Sequence, residues 1–389
     1  MNAEKIHRVA VRMAHIAPFE VMEIQTAARE LERHGKDVIH MEIGEPDFSA
    51  APQVVEAAVR ALRDGRSAYT ATLGLPALRE AVAAHYGSRF SKKVAPDRIA
   101  ITSGASGGLL LTLALYVNPG DEILVPDPGY PGYRHMVRAF EGSARALKVS
   151  AESKFQPTLA MVRAAWGPRT RGLLLGSPSN PTGTVISRAE LEKIAGFVAR
   201  RGAVLIVDEI YQGLVYNEAP SSAVGLPGEV VVVNSFSKYF CMTGWRLGWV
   251  VLPRRRIREF EKLAQHLFIC APAISQHAAL ACFSKATMKV LESRRREFQR
   301  RRDFLVPALK AAGLAVPAVP SGAFYVYADC GSDARRFVFE LLERAGVAAT
   351  PGIDFGENGT KRHVRFAYTQ PLEQLQEGIA RLRSYLGRA

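Results

Sequence analysis

Short apolar runs alternate with amphipathic stretches through the middle of the chain. The runs predict strands at 99–102, 122–125, 144–148, 172–175, 204–207 and 230–233. The stretches between them predict helices at 107–116, 130–141, 157–165 and 188–201. The four consecutive valines at 230–233 indicate a strand that is buried on both faces. This alternation is typical of an α/β protein whose mainly parallel sheet lies between helices.

The two ends of the chain show a different order of predicted helices and strands. Before the sheet, the pattern predicts helices at 19–33, 52–64 and 75–90, with one strand at 38–43. After it, helices are predicted at 254–268, 274–285, 287–312, 333–345 and 372–386, with strands at 323–327, 347–350 and 364–367. A chain of 389 residues exceeds what one core usually fills. We therefore expect a large domain at 46–285, a smaller α/β domain at 286–389, and an N-terminal segment, 1–45, that packs with the smaller one.

The composition indicates an ordinary globular protein, with 48% apolar and 23% charged residues. No apolar run approaches the ~20 residues of a membrane helix, and the N-terminus lacks the apolar core of a secretory signal. The four cysteines show no paired spacing, which favours reduced thiols and a cytoplasmic location. The histidines are scattered, so no metal site is predicted.

The net charge of +14 raises the hypothesis of a nucleic-acid partner. Much of the excess positive charge lies at 254–258 and 294–302, where arginines are interleaved with apolar residues. We interpret both clusters as solvated faces of helices. Because no nucleic-acid-binding module is recognisable either, neither a nucleic acid nor a membrane is predicted as a partner.

Polar residues follow the predicted strands at the points where ligands bind in parallel sheets. A glycine-rich turn at 103–108 opens a helix, and small residues there let backbone N–H groups approach an anion. Asp208 follows an entirely apolar strand, and a carboxylate there is costly unless it meets a cation.

The stretch after the valine strand combines an amine with anion-binding groups. Ser235, Ser237 and Lys238 form a polar turn, and Arg246 stands between two glycines shortly after it. A partly desolvated lysine near another cation can attack a carbonyl and hold an imine. Hydroxyls and a guanidinium suit a phosphate. Together with the Asp208 carboxylate, these are the groups that pyridoxal 5'-phosphate requires, so we predict that cofactor.

The sequence resembles the class I/II aminotransferases, which are fold-type I enzymes dependent on pyridoxal phosphate. The resemblance covers nearly the whole chain, from the Ile-Gly-Glu-Pro-Asp-Phe at 43–48 to the Val-Arg-Phe at 364–366. It is carried by Ser-Pro-Ser-Asn-Pro-Thr-Gly at 177–183, Asp-Glu-Ile-Tyr at 208–211 and Ser-Phe-Ser-Lys at 235–238, in the order and spacing of the family.

The resemblance implies a role for each residue around the cofactor ring. Lys238 is expected to form the imine and then to move a proton between the substrate and the cofactor. Asp208 is expected to pair with the ring nitrogen, which makes the ring an electron sink. Asn180 and Tyr211 are expected to donate to the ring's 3-oxygen, and Tyr130 to stack on the ring face.

The resemblance also implies a phosphate cradle, for which the expected donors are Gly104, Ala105, Ser106, Ser235, Ser237 and Arg246. Tyr69 resembles the tyrosine that reaches the phosphate of the neighbouring subunit, which implies a homodimer with shared active sites. Arg365 matches the arginine that binds the substrate α-carboxylate through two hydrogen bonds, with Asn180 and the Gly44 backbone close by.

One departure from the family bears on the substrate. A branch that prefers aspartate has a lysine where Ser106 stands here, so we expect a neutral or apolar amino donor, with a 2-oxo acid as acceptor. Two other interpretations remain open. One is a β-eliminating C–S lyase on the same fold. The other is a non-enzymatic DNA-linked regulator, which we disfavour because the family pattern begins near residue 19 and leaves no room for a DNA-binding domain.

Overall fold

The computed structural model describes residues 9–388. Its strands are β1 Ile39–His40, β2 Ile99–Thr102, β3 Glu122–Asp127, β4 Ser143–Lys148, β5 Thr170–Gly176, β6 Val204–Asp208, β7 Glu229–Ser235, β8 Gly248–Val251, β9 Tyr325–Asp329, β10 Val347–Ala348, β11 Thr350–Pro351 and β12 His363–Ala367. Its α-helices are α1 Glu20–Arg33, α2 Pro52–Arg63, α3 Pro76–Phe90, α4 Gly104–Tyr116, α5 Pro131–Ala139, α6 Leu159–Ala165, α7 Arg188–Arg200, α8 Ile257–Leu267, α9 Ala273–Ala279, α10 Lys285–Ala311, α11 Ala334–Ala345 and α12 Leu372–Tyr385.

The main sheet has seven strands in the order β2-β8-β7-β6-β5-β3-β4. Every strand is parallel to the others except β8, which runs antiparallel to both of its neighbours. The predicted fold class, a mainly parallel sheet between helices, is confirmed.

The valine strand β7 shows why the sheet needs helices on both sides. Val230 and Val232 belong to the hydrophobic core that includes residues of α7. Val231 and Val233 belong to the opposite core, which includes residues of α4 and α8. Successive side chains of a strand point to opposite faces, so an unbroken apolar run is stable only where both faces are covered.

The C-terminal part builds a second, smaller sheet in which β12 lies between β11 and β9, antiparallel to both. The N-terminal strand β1 pairs in parallel with β10, with Ile39 opposite Val347. This pairing attaches the N-terminal segment to the C-terminal part of the chain. Within residues 9–388, no helix has the length and apolarity to cross a membrane.

Several predicted elements are wrong in their extent. The strand predicted at 38–43 is only Ile39–His40, after which the chain leaves the sheet. The helix predicted at 274–285 ends at Ala279 and continues as a 3-10 turn. The strand predicted at 347–350 divides, because β10 pairs with β1 whereas β11 pairs with β12.

The interpretation of the arginine-rich helix as wholly solvated is also wrong. Arg301 and Arg302, on α10, are 3% and 5% exposed. Arg301 forms a two-pronged ion pair with Asp47, at 2.9 Å for both contacts. Arg302 donates to the carbonyl of Pro320. Both are buried by long-range contacts, which a local pattern of charges does not reveal.

Candidate functional site

A cavity of about 610 Å³ opens at the carboxyl ends of the parallel strands and contains most of the predicted site residues. Those lining it are Gly44, Ala105, Ser106, Tyr130, Asn180, Asp208, Tyr211, Ser235, Ser237, Lys238, Arg246 and Arg365. Two predicted residues do not line it. Gly104 lies behind Arg246, and Tyr69 is 80% exposed on the surface.

Lys238 is partly buried just beyond the end of β7, where its Nζ donates to the carbonyl of Gly44 at 2.7 Å. Burial is the main reason why its pKa falls to about 8; Arg365 and Arg246 lower it further, whereas Glu45 opposes the shift. A lower pKa raises the fraction of free amine, the form that attacks a carbonyl and accepts a proton.

Asp208 is the last residue of β6 and is 4% exposed. Its carboxylate accepts a hydrogen bond from the Tyr133 hydroxyl at 2.8 Å and one from the backbone N–H of Ile210 at 3.1 Å. Burial raises its pKa to about 6 in spite of these two donors. A carboxylate in this position is stabilised in its ionised form by a cation placed against it.

Arg365 extends from β12 and is 4% exposed. Its Nη1 donates to Oδ1 of Asn180 at 2.9 Å, and its Nη2 donates to the carbonyl of Glu42 at 2.5 Å and to Oγ1 of Thr350 at 3.2 Å. The guanidinium lies 4.4 Å from the centre of the Tyr325 ring. Its Nε has no hydrogen-bond partner, and no carboxylate of residues 9–388 forms an ion pair with it.

Tyr211 and Tyr325 share a hydrogen bond between their hydroxyls at 2.8 Å, and both rings are buried. A Cβ on Gly44 would lie only 1.7 Å from the Tyr325 hydroxyl oxygen. Glycine is therefore required at position 44, because any side chain would displace Tyr325 and with it the contact to Tyr211.

The first turn of α4 and the residue Arg246 form one side of an anion cradle. Gly104 has a φ of +74°, and a Cβ there would lie 2.8 Å from Nη2 of Arg246. Glycine thus lets the guanidinium approach the start of the helix, where N–H groups and the helix dipole favour an anion. Arg246 donates to the carbonyl of Thr243 at 2.9 Å, and it forms no ion pair with any described carboxylate.

Two serines complete the cradle. The Ser235 hydroxyl donates to the Ser237 hydroxyl at 2.9 Å and accepts from the Ser237 backbone N–H at 3.0 Å. Both side chains are buried, and both line the cavity beside Arg246.

Helix α1 covers the cavity on the side away from the sheet, and its contribution was not predicted. Phe19, just before the helix, stacks on Tyr130 with 6.2 Å between ring centres. Further along α1, Met22, Gln25 and Arg29 also line the cavity. Arg29 is exposed and supplies a cation that sequence reasoning missed.

Tyr133 and Tyr325 were also missed. Tyr133 stands three residues after Tyr130 at the start of α5, so helical spacing places both on one face and could have indicated it. Tyr325 gives no such signal in the sequence, because only the tertiary fold brings β9 of the smaller sheet to Tyr211.

The residues present fit pyridoxal 5'-phosphate. Arg246, two serine hydroxyls and a helix N-terminus supply a charged and hydrogen-bonding cradle for the phosphate. The buried carboxylate of Asp208 has no Lys or Arg within ion-pair distance among residues 9–388, which suits a protonated ring nitrogen. The Lys238 amine lies in the same cavity and suits the aldehyde.

Comparisons with known proteins agree with this geometry. The family model described as aminotransferase class I and II matches residues 36–382. The valine–pyruvate aminotransferase of Mycobacterium tuberculosis is 39% identical over 97% of this chain and 98% of its own. The (5-formylfuran-3-yl)methyl phosphate transaminase of Methanocaldococcus jannaschii is 37% identical over 97% and 99%.

The crystal structure of an aminotransferase from Mycobacterium tuberculosis superposes with a TM-score of 0.94 at 38% identity, covering 98% of this chain and 100% of that one. Sequence and structure thus agree along almost the entire length. The chain belongs to the class I and II aminotransferases, the enzymes that use pyridoxal phosphate to exchange amino groups between amino acids and 2-oxo acids.

Proposed function

We propose that this aminotransferase takes its amino group from a neutral or apolar amino acid whose α-carboxylate binds to Arg365. The observation that carries this proposal is the buried guanidinium of Arg365, which has no carboxylate partner among residues 9–388. A buried charge is costly unless an opposite charge meets it, and the carboxylate of an amino acid supplies one. Mixing the holoenzyme with an amino acid alone tests the reaction: one amino group per site should pass to the cofactor, with no continuous release of ammonia.

Lys238 and the residues around it each have a separate role in the proposed reaction. When bound, pyridoxal phosphate supplies the aldehyde that takes the amino group and a ring that accepts the electrons released at the substrate Cα. The Lys238 amine would take the proton from the substrate Cα and deliver it to the former aldehyde carbon of the bound cofactor. Asp208, held by Tyr133, keeps a proton on the ring nitrogen. Tyr211 donates to the ring's 3-oxygen.

The Asn180 amide has two functions in this proposal. Its oxygen accepts from Arg365, which fixes the orientation of the guanidinium. Its nitrogen is then left to donate to the ring's 3-oxygen, so Asn180 connects the carboxylate site to the cofactor. Tyr130 covers one face of the ring, with Phe19 stacked behind it. Ala105 and Ser106 would hold the phosphate together with Ser235, Ser237 and Arg246, and Gly104 leaves the space in which the Arg246 guanidinium approaches the helix N-terminus.

The active form that we propose is a homodimer in which Tyr69 reaches the phosphate of the partner subunit. Its exposure supports this, as do the exposed apolar side chains of Val55, Val59 and Leu62 on α2. We also propose a cytoplasmic location, because the four cysteines are free thiols. The pairing of β1 with β10 supports a domain division at 1–45, 46–285 and 286–389, with the first segment packed on the last.

Replacing Arg365 with alanine should weaken all amino donors by a similar factor. A hydrogen-bonded charge pair contributes about 1.5–3 kcal/mol, so kcat/KM should fall roughly 10- to 150-fold for each donor. Half-reaction rates across a panel of donors would measure this. The control is Arg362→Ala, which removes an exposed arginine that pairs with Asp329. A loss confined to one donor would contradict the assignment of Arg365 to the α-carboxylate.

Donor preference gives a second test in the same assay. Ser106 offers no charge to a distal carboxylate, whereas Met22, Leu109 and Ile210 give the cavity an apolar lining. We therefore expect alanine or larger neutral donors to exceed aspartate in kcat/KM. Ser106→Lys should raise aspartate relative to alanine.

A tenfold preference of the unmodified enzyme for aspartate would show that the neutral-donor proposal is wrong. Arg29 is the cation to examine in that case, because it lines the cavity at the end of α1. Arg29→Ala would then abolish the preference, whereas it should leave alanine unaffected.

A further inference from the structure

His40 connects two carboxylates beside the cavity. Its Nδ1 lies 2.8 Å from Oε1 of Glu42, and its Nε2 lies 3.0 Å from Oε1 of Glu32 on α1. Glu42 is 0% exposed, and its second oxygen, Oε2, has no hydrogen-bond partner. A carboxylate in such a position depends strongly on its single charged neighbour.

The short segment 40–45 accepts hydrogen bonds from the two basic side chains that are proposed to act on the substrate. The carbonyl of Glu42 accepts from Nη2 of Arg365 and also from the Thr350 hydroxyl. Two residues later, the carbonyl of Gly44 accepts from the Lys238 amine. A shift of the backbone at 40–45 would therefore displace the acceptors of both hydrogen bonds at once.

The other charges near His40 come from several elements. Arg29 and Glu32 face it from α1, and Glu45 and Asp47 line the same small pocket. On α12, Arg381 pairs with Glu377 and with Asp37 rather than with His40. Among residues 9–388, no lysine or arginine forms an ion pair with Glu42. His40 is therefore the cation available to it.

We propose that His40 is a positioning residue for substrate binding. Its pairing with Glu42 fixes the segment 40–45, and this segment holds Arg365 and Lys238 at their places in the cavity. Without that pairing, the buried carboxylate of Glu42 has no cation, and the segment must rearrange to bring the carboxylate to water. The proposal rests on the proposed role of Arg365 in binding the α-carboxylate.

The hydrogen bond to Glu42 is the main cause that raises the pKa of His40 from 6.5 to about 9, against the opposing effect of burial. A raised histidine pKa means that the pair stabilises the folded protein fully below pH 6.5 and that this contribution is lost as the pH rises through about 9. Carboxylate binding should weaken over the same upper range.

The test measures how tightly the holoenzyme binds a non-reacting monocarboxylate, 3-methylbutanoate, from the shift in cofactor absorbance between about pH 7 and pH 10. His40→Gln should weaken binding about tenfold at neutral pH, and KM should rise more than kcat falls. Glu42→Gln should bind within about twofold of the parent and lose the decline near pH 9, because no buried charge remains.

The double variant His40→Gln, Glu42→Gln decides between positioning and simple packing. It should restore binding, since two neutral amides can hydrogen-bond without a buried charge. Failure of this rescue, or unchanged binding in His40→Gln, would overturn the proposal. His34→Gln, which alters an exposed histidine at the C-terminal end of α1, is the control.

Arg365→Ala distinguishes the proposal from the function on which it rests. Loss of 3-methylbutanoate binding in this variant with normal binding in His40→Gln would refute only the role of His40. Normal binding in Arg365→Ala would refute the carboxylate site itself. If His40→Gln does not fold, Glu42→Gln and its pH profile still decide the matter.

Discussion

Replacing Lys238 with alanine is expected to abolish turnover and to leave the fold intact. One amine serves as the covalent anchor of the cofactor and as the group that moves the substrate proton. Proton transfer by a positioned side chain alone accounts for roughly 10²–10⁴-fold in rate. The fold should survive because, among residues 9–388, the Lys238 side chain makes a single hydrogen bond, to the carbonyl of Gly44.

Single-turnover absorbance and circular dichroism would measure these two effects. Lys193→Ala is a suitable control, because Lys193 is exposed and, within residues 9–388, pairs only with Glu190 on its own helix. In the unmodified enzyme, borohydride should attach the cofactor permanently to Lys238. A peptide map that finds it on another lysine would disprove the assignment.

Replacing Asp208 is expected to slow proton removal from the substrate without releasing the cofactor. Loss of one preorganised charge in a buried site costs about 10²–10³ in rate. Asp208→Asn is the sharpest change, because asparagine keeps the shape and still accepts from Tyr133. Asp208→Ala should be at least as slow. A near-normal kcat in either variant would contradict the pairing of Asp208 with the ring nitrogen.

Asp208→Asn is expected to slow the reaction but not to lower the stability of the cofactor-free protein. Burial raises the pKa of Asp208 from 3.8 to about 6, so its ionised form is disfavoured in the fold. The folded protein therefore loses stability as the pH rises from 3.8 through about 6, and Asp208→Asn avoids this loss. Thermal unfolding of cofactor-free protein at neutral pH should show Asp208→Asn to be at least as stable as the parent.

Sequence reasoning located the residues that follow strands and missed those that other parts of the chain bring to them. Asp208 and Lys238 were predictable because parallel strands present their carboxyl ends at one edge. Tyr325 meets Tyr211 across 114 positions of the chain, and Glu42 meets Arg365 across 323. No local pattern encodes such contacts.

The same limitation explains the misjudged arginines of α10. The pattern at 287–312 predicted this helix correctly, but the burial of Arg301 depends on Asp47, 254 residues away. Similarly, the short β1 was overestimated because an apolar run does not show where its partner strand ends. Local pattern predicted the type of most elements but not the strand β8, and tertiary contacts decided extent and exposure.

The cavity is built from separate segments of the chain, and this separation affects how the donor preference of the enzyme can change. The carbonyls that hold Arg365 and Lys238 belong to the segment 40–45, whereas Met22, Gln25 and Arg29 belong to α1. Mutations at Met22, Gln25 and Arg29 can therefore alter which side chains are admitted without touching the backbone that holds Arg365 and Lys238. Drift in lineages of this enzyme should accumulate on that helix, and new donor preferences should arise there first.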